Sequence, residues 1–215
     1  SEGGDILFVG TKKNAKNIVQ EEADKCSMYY VVERWLGGTL TNYSTIRKSI
    51  KRLMLLEKES SPLYDNATKK EILSLEREMI RLQDLHRGIK DMKGLPDAIF
   101  VVDTYQESIA VDEAKLLNIP VVAIVDTNSN PNLIDYPIPA NDDSIRAVKL
   151  IVSEISKAIC ESKSIAYPEG KVSLEEAVPE EEDLSNETEM GDESEIAGSD
   201  GKQIEELVVD SSKED

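Results

Sequence analysis

The chain has 215 residues, a mass of 23.9 kDa, 40% hydrophobic and 32% charged residues, enough apolar content to bury a core in one or two domains. No run approaches the ~18 consecutive apolar residues of a membrane-spanning helix, and two cysteines with one histidine leave no material for a disulfide framework or a His-rich metal centre. The net charge of −18 is uneven: residues 167–215 carry three lysines against 18 acids, a net −15, so residues 1–166 hold only −3 and can present a basic face.

In chain order, Ser1 opens only a few residues before an apolar run, and the expectation is that a natural N-terminal part precedes it. Ile6-Leu7-Phe8-Val9 is continuously apolar, the mark of a strand buried on both faces. A helix is predicted over about Asn14 to Lys25, turning Ala15, Ile18, Val19 and Ala23 toward the sheet. Tyr29 to Val32 is a β-branched and aromatic strand. Two more buried strands follow at Ala98 to Val102 and Val121 to Val125. Between them Thr104 and Glu107 have the spacing of a capping box that would open a helix. The last helix runs from about Ser144 to Cys160 with Asp142 and Asp143 at its start, where the helix dipole favours negative charge. Strand–helix–strand alternation predicts a parallel sheet covered by helices.

Residues 33–97 contain no convincing strand. Ser44 to Lys58 and Thr68 to Lys93 read as helices separated by the breaker Ser60-Ser61-Pro62, and Thr68 with Glu71 offers a second capping box. Ile72, Leu75, Met79, Leu82, His86 and Ile89 recur at steps of 3, 4, 3, 4, 3, a coiled-coil seam with Ile46, Ile50 and Leu53 as partner. The predicted organisation is therefore an α/β domain over 1–43 and 94–166. A helical hairpin is inserted at 44–93, and an acidic, low-hydrophobicity tail predicted to be disordered occupies 167–215. Ile204 to Val209 is an apolar island in that tail, either a docking segment or a passive remnant.

Several stretches are candidates for function, each with a plainer reading beside it. Gly10-Thr11-Lys12-Lys13 joins a strand to a helix, where doubly wound proteins hold phosphate, but it completes neither nucleotide fingerprint. Lys12, Lys13 and Lys16 are read as contacts to nucleic-acid phosphate or as a solvated helix start. The only tryptophan stands in Trp35-Leu36-Gly37-Gly38-Thr39-Leu40-Thr41-Asn42, a polar contact loop or a rigid elbow aiming the hairpin, with Arg34 and Asn42 as contacts beside it. Arg47 and Lys51, and Lys48 and Arg52, are like-charged i,i+4 pairs that a phosphate backbone would relieve; the alternative is a solvated face. Asp103 and Asp126 end strands where α/β enzymes keep catalytic or magnesium-binding carboxylates, and equally where ordinary caps occur. His86 reads as a packing or hydrogen-bonding residue of the seam, and Cys26 and Cys160 as inert reduced thiols. No catalytic constellation emerges.

Four segments, in order, carry a resemblance: ILFVGTKK at Ile6–Lys13, WLGGTLTN at Trp35–Asn42 with Tyr43 to Ile46 after it, LPDAIFVVD at Leu95–Asp103 with Glu113 beyond, and IPVVAIVDTNSNP at Ile119–Pro131 continuing through Tyr136 to Ala147. Together they resemble the bacterial-type small-subunit ribosomal protein S-two family over about residues 4–160. The resemblance implies a flavodoxin-like or Rossmann-like three-layer α/β/α fold with an inserted antiparallel coiled-coil hairpin. It also implies a structural, non-enzymatic role in translation, contacting small-subunit rRNA and neighbouring ribosomal proteins and helping recruit ribosomal protein S-one. The family's Gly/His/Phe-rich segment ahead of ILFVGTKK is not in this sequence, and the acidic tail exceeds the family core.

The resulting expectation is an rRNA-binding protein without cofactor, metal, membrane or DNA partner, on a cytoplasmic ribosome or that of an organelle of bacterial ancestry. Lys12, Lys13, Lys16, Arg34, Asn42, Arg47, Lys48, Lys51 and Arg52 are its selected contacts. The tail is expected to stay off RNA, so that removing 167–215 raises affinity for arbitrary RNA at low salt. The rival is a phosphate-ligand-binding domain or enzyme using Gly10–Lys13, Asp103 and Asp126.

Overall fold

The computed structural model describes residues 4–58, 64 and 67–168. The chain divides into two units, Ser1–Ala177 and Val178–Asp215, and every described residue belongs to the first. The Ser60–Pro62 breaker, the apolar island and all of the tail beyond Pro168 lie outside the described residues.

Five strands form one all-parallel sheet in the order β2-β1-β3-β4-β5. They are β1 (Ile6–Val9), β2 (Tyr29–Val31), β3 (Ala98–Val102), β4 (Val121–Val125) and β5 (Tyr136–Pro139). The helices are α1 (Lys16–Lys25), α2 (Tyr43–Leu56), α3 (Lys69–His86), α4 (Ser108–Leu116) and α5 (Ile145–Ser162). Because side chains alternate along a strand, each apolar run supplies both faces. Leu7, Val9, Ile99, Val101, Val121 and Ala123 pack with Trp35, Leu40, Ile46 and Ile50 and with Ala110 and Ala114 of α4. Phe8, Phe100, Val102 and Ile124 pack on the opposite side against Val19 and Ala23 of α1 and Val148 and Val152 of α5. This is the expected three-layer α/β/α arrangement. Phe8 and Phe100 are register partners on adjacent strands with ring centroids 5.4 Å apart, a pairing worth about 0.5–1.5 kcal/mol beyond its buried area.

The sheet's two edges are closed differently. Sequence reading missed β5 because Tyr136-Pro137-Ile138-Pro139 carries two prolines. Ala140 N–H donates to Val125 C=O, so residues of that parity face β4, and Pro137 and Pro139, of opposite parity, put their missing N–H on the free edge. At the other edge, β2 is covered by a 3₁₀ turn, Arg87–Ile89. There Gly88 approaches so closely that a Cβ on it would lie 2.1 Å from the Tyr30 carbonyl oxygen. This turn ends α3 at His86, short of the predicted Lys93.

Between the sheet's β2 and β3, α2 and α3 lie against each other. Ser49 Oγ meets His86 Nε2 at 2.8 Å and Arg52 meets Glu78, so the pairing runs backward along α3 as it runs forward along α2. The Thr68–Glu71 capping box is formed, with both reciprocal bonds present.

The Thr104–Glu107 box is not formed. Asp103, in the left-handed region at φ 68°, accepts from the N–H groups of Tyr105 and Gln106. Glu107 instead turns to Thr11, whose N–H and hydroxyl both donate to its Oε1. The spacing was right for a box, but a long-range partner won over the local one. Asp142 and Asp143 likewise serve as partners to Lys12, and Ser144 caps α5 by accepting from Ala147 N–H.

Candidate nucleic-acid interface

At 3.6 residues per turn, Arg47, Lys48 and Lys51 fall within an arc of about 100° on α2. All three are exposed, and Ile46, Ile50 and Leu53 are buried on the other side of the helix. Among the described residues no carboxylate lies within ion-pair distance of Arg47, Lys48 or Lys51; Arg47 reaches only the Lys93 carbonyl oxygen at 3.5 Å. Arg52 lies about 40° further round and points at α3, where its guanidinium donates to both Glu78 oxygens at 3.0 and 3.1 Å. Among the described residues, three of the four α2 cations thus stand together without an ion-pair partner, and the fourth is committed to a neighbouring helix.

The cations of the first loop are differently placed. Lys12 Nζ lies 2.8 Å from Asp142, 2.5 Å from Asp143 and 3.3 Å from Asp103, and Asp142 is only 1% exposed. Burial alone would lower the Lys12 pKa, but hydrogen bonds from the ammonium to Asp142, Asp143 and Asp103 reverse this and hold it above the ordinary lysine value. Asn14 adds bonds from its amide to the Asp142 and Asp143 carbonyl oxygens. Carboxylate oxygens of Asp126, Asp142 and Asp143 lie within 4.8 Å of one another, close enough to share a cation. Lys16 donates to Glu33 at 2.6 Å, and Arg87 reaches the other Glu33 oxygen at 3.2 Å. Lys13 and Arg34 are exposed, with no ion pair among the described residues.

A buried carboxylate that the sequence reading gave no role organises the loop ahead of α2. Glu113, on α4 and 8% exposed, accepts from Trp35 Nε1 at 3.1 Å and Gly38 N–H at 2.7 Å through one oxygen. Its other oxygen accepts from Leu40 N–H, Thr41 N–H and the Thr41 hydroxyl at 2.9, 3.0 and 3.1 Å. Burial would raise its pKa, yet the donors from Thr41, Gly38, Trp35 and Leu40 outweigh burial and hold it below the ordinary glutamate value. Gly38, at φ 88°, supplies the left-handed turn that lets successive N–H groups converge. Asn42 then stands at the N-cap of α2, its N–H donating to Gly38 C=O at 2.8 Å. A sequence signal did exist: Glu113 follows Ala110 by three and precedes Ala114 on the buried side of α4, and a buried carboxylate requires donors.

The remaining candidates behave as ordinary structure. Asp126 accepts from the Thr127 N–H at 2.6 Å. His86, 1% exposed, bonds Ser49, and burial lowers its pKa. Both thiols are buried with pKa values raised by desolvation.

The family described as Ribosomal protein S2 matches residues 1–162. The chain belongs to this family. It is therefore a ribosomal protein with a structural role in the small subunit, in translation, and its family is non-enzymatic. The match spans the five-stranded sheet, the five described α-helices and the Glu113-held loop. No helix among the described residues is long and apolar enough to cross a membrane.

Proposed function

We propose that this S2 protein binds small-subunit rRNA through the exposed cationic stripe Arg47, Lys48 and Lys51, with Lys13, Arg34 and Asn42 as flanking contacts. The observation that carries this reading is the contrast in pairing. Lys12, Lys16 and Arg52 are engaged by the protein's own carboxylates, whereas the stripe keeps its charge for an external anion. A polyanion there relieves the like-charge repulsion along α2 and releases condensed counterions. In this reading residues 44–93 act as an arm between rRNA and neighbouring ribosomal proteins. Recruitment of ribosomal protein S-one and a cytoplasmic setting are part of the same reading, supported by family membership alone.

The rival phosphate-ligand reading has the weaker support. A phosphate approaching Gly10–Lys13 would meet Asp103, Asp142 and Asp143 around the one lysine that should attract it. The test is binding of the full chain to small-subunit rRNA and to an unrelated RNA of equal length, over a potassium chloride series. Preferential, salt-sensitive binding of the first is expected. Equal affinity for both, or no binding, contradicts the proposal.

A further inference from the structure

We propose that Glu113 is a positioning residue for the rRNA-docking face: it holds the 38–41 loop in one conformation and so sets the direction in which α2 presents Arg47, Lys48 and Lys51. The inference rests on the rRNA-binding reading above and deepens it.

Five donors converge on this single carboxylate. A carboxylate has about four lone-pair positions, so its capacity is filled. Among the described residues no lysine or arginine pairs with Glu113; its charge is met by backbone, indole and hydroxyl dipoles. Such converging N–H groups are an anion-binding nest, and here the chain's own side chain is the anion. The loop amides therefore face inward and leave phosphate recognition to side chains beyond the loop.

The link from Glu113 to the stripe is short and continuous. Thr41 is followed by the α2 N-cap Asn42, which is tied back to Gly38, and Arg47 stands about one turn into the helix. Ile46 and Ile50 pack in the same cluster as Trp35, Leu40, Ala110 and Ala114, so the helix entry and the Glu113 helix share one core. A glutamine at 113 keeps the shape but offers one acceptor oxygen. Its NH₂ would face donors that need an acceptor.

The test uses the full chain as wild type, Glu113→Gln, Thr41→Val and the double variant Lys48→Glu/Lys51→Glu. Three quantities are read: amide exchange at 38, 40 and 41, the indole N–H resonance of Trp35, the only tryptophan, and affinity for small-subunit rRNA across salt. Glu113→Gln is expected to speed exchange of those amides about tenfold or more, shift the indole resonance, and weaken RNA binding several-fold with the salt slope unchanged, since no phosphate contact is removed. The double lysine variant should lower the salt slope and leave the indole resonance in place. If Glu113→Gln leaves RNA affinity unchanged while the double lysine variant loses it, the positioning role is overturned and the docking face stands. If the double lysine variant keeps full affinity and slope, both are overturned. Should Glu113→Gln not fold, Thr41→Val, which deletes one hydroxyl donor, must show the same changes in smaller measure; wild-type exchange and affinity there overturn the role.

Discussion

Arg52 on α2 and Glu78 on α3 form a two-bond ion pair, and it divides the cations of α2 into one that joins helices and three that face outward. The pair is more than one-third exposed on both sides, so solvent screens it and its net contribution stays within about 1 kcal/mol. Arg52→Ala should lower urea stability by no more than that amount. It should weaken rRNA binding less than Lys51→Ala does, because Lys51 has no ion-pair partner among the described residues. A larger RNA effect at Arg52 than at Lys51 would contradict this division.

Salt dependence counts the contacts. Each phosphate neutralised contributes about −0.7 to −0.9 to the slope of log affinity against log salt. Replacing Arg47, Lys48 and Lys51 by glutamine should flatten that slope by about two to three. Lys12→Gln should leave it nearly unchanged, since its ammonium is already occupied by Asp142, Asp143 and Asp103. Titrations at several potassium chloride concentrations decide between the two sites.

Gly88→Ala should destabilise the fold by several kcal/mol. The new Cβ would stand 2.1 Å from Tyr30 C=O and 2.4 Å from its ring, and backbone on an edge strand has little room to yield. Gly37→Ala is the control, because nothing lies within 4 Å of a Cβ there. Thermal melts of the two variants should differ clearly; equal melting temperatures would refute the close packing of the 3₁₀ turn on β2.

Acid should weaken the protein in two stages. Burial lowers the His86 pKa below 6.5, so as pH falls through that value the unfolded chain takes up a proton that the native one refuses, and stability drops. Glu113, held below 4.5 by its donors against the opposing effect of burial, repeats this lower down: its stabilisation is present above about pH 4.5 and is lost as pH falls through its native value. His86→Leu should remove the upper stage, and Glu113→Gln should diminish the lower one. Glu33 and Glu78, held below the ordinary glutamate value by hydrogen bonds from Lys16 and Arg52, also contribute to that lower stage. Denaturation curves taken from pH 7 to pH 3 show whether the stages respond separately.

How legible each part was depends on how local its cause is. β1, β3 and β4 were readable because burial on both faces writes an unbroken apolar run, and α5 because Val148, Val152 and Ile159 repeat at helical spacing. β5 was not, because its prolines are acceptable only at a sheet edge, and edge position is a property of the assembled sheet. The stripe on α2 was visible as charge, but that Arg52 leaves it for Glu78 requires knowing where α3 lies. The Glu113 site shows the same limit more sharply. Its donors lie 72–78 residues away in sequence, so neither the loop nor the helix announces the other. Glu107 misled for the converse reason, a local capping spacing overruled by Thr11 from 96 residues away.

In the proposed function, Arg47, Lys48 and Lys51 on α2, which have no ion-pair partner among the described residues, dock this S2 protein onto the small subunit through rRNA phosphate. The most direct test of this docking is sedimentation of small subunits assembled with either wild-type chain or Arg47→Glu/Lys48→Glu/Lys51→Glu, after circular dichroism has shown both to be folded. The wild-type chain should migrate with the particle, and the triple variant should remain at the top of the gradient. Co-migration of the variant at the wild-type level would contradict the proposed docking.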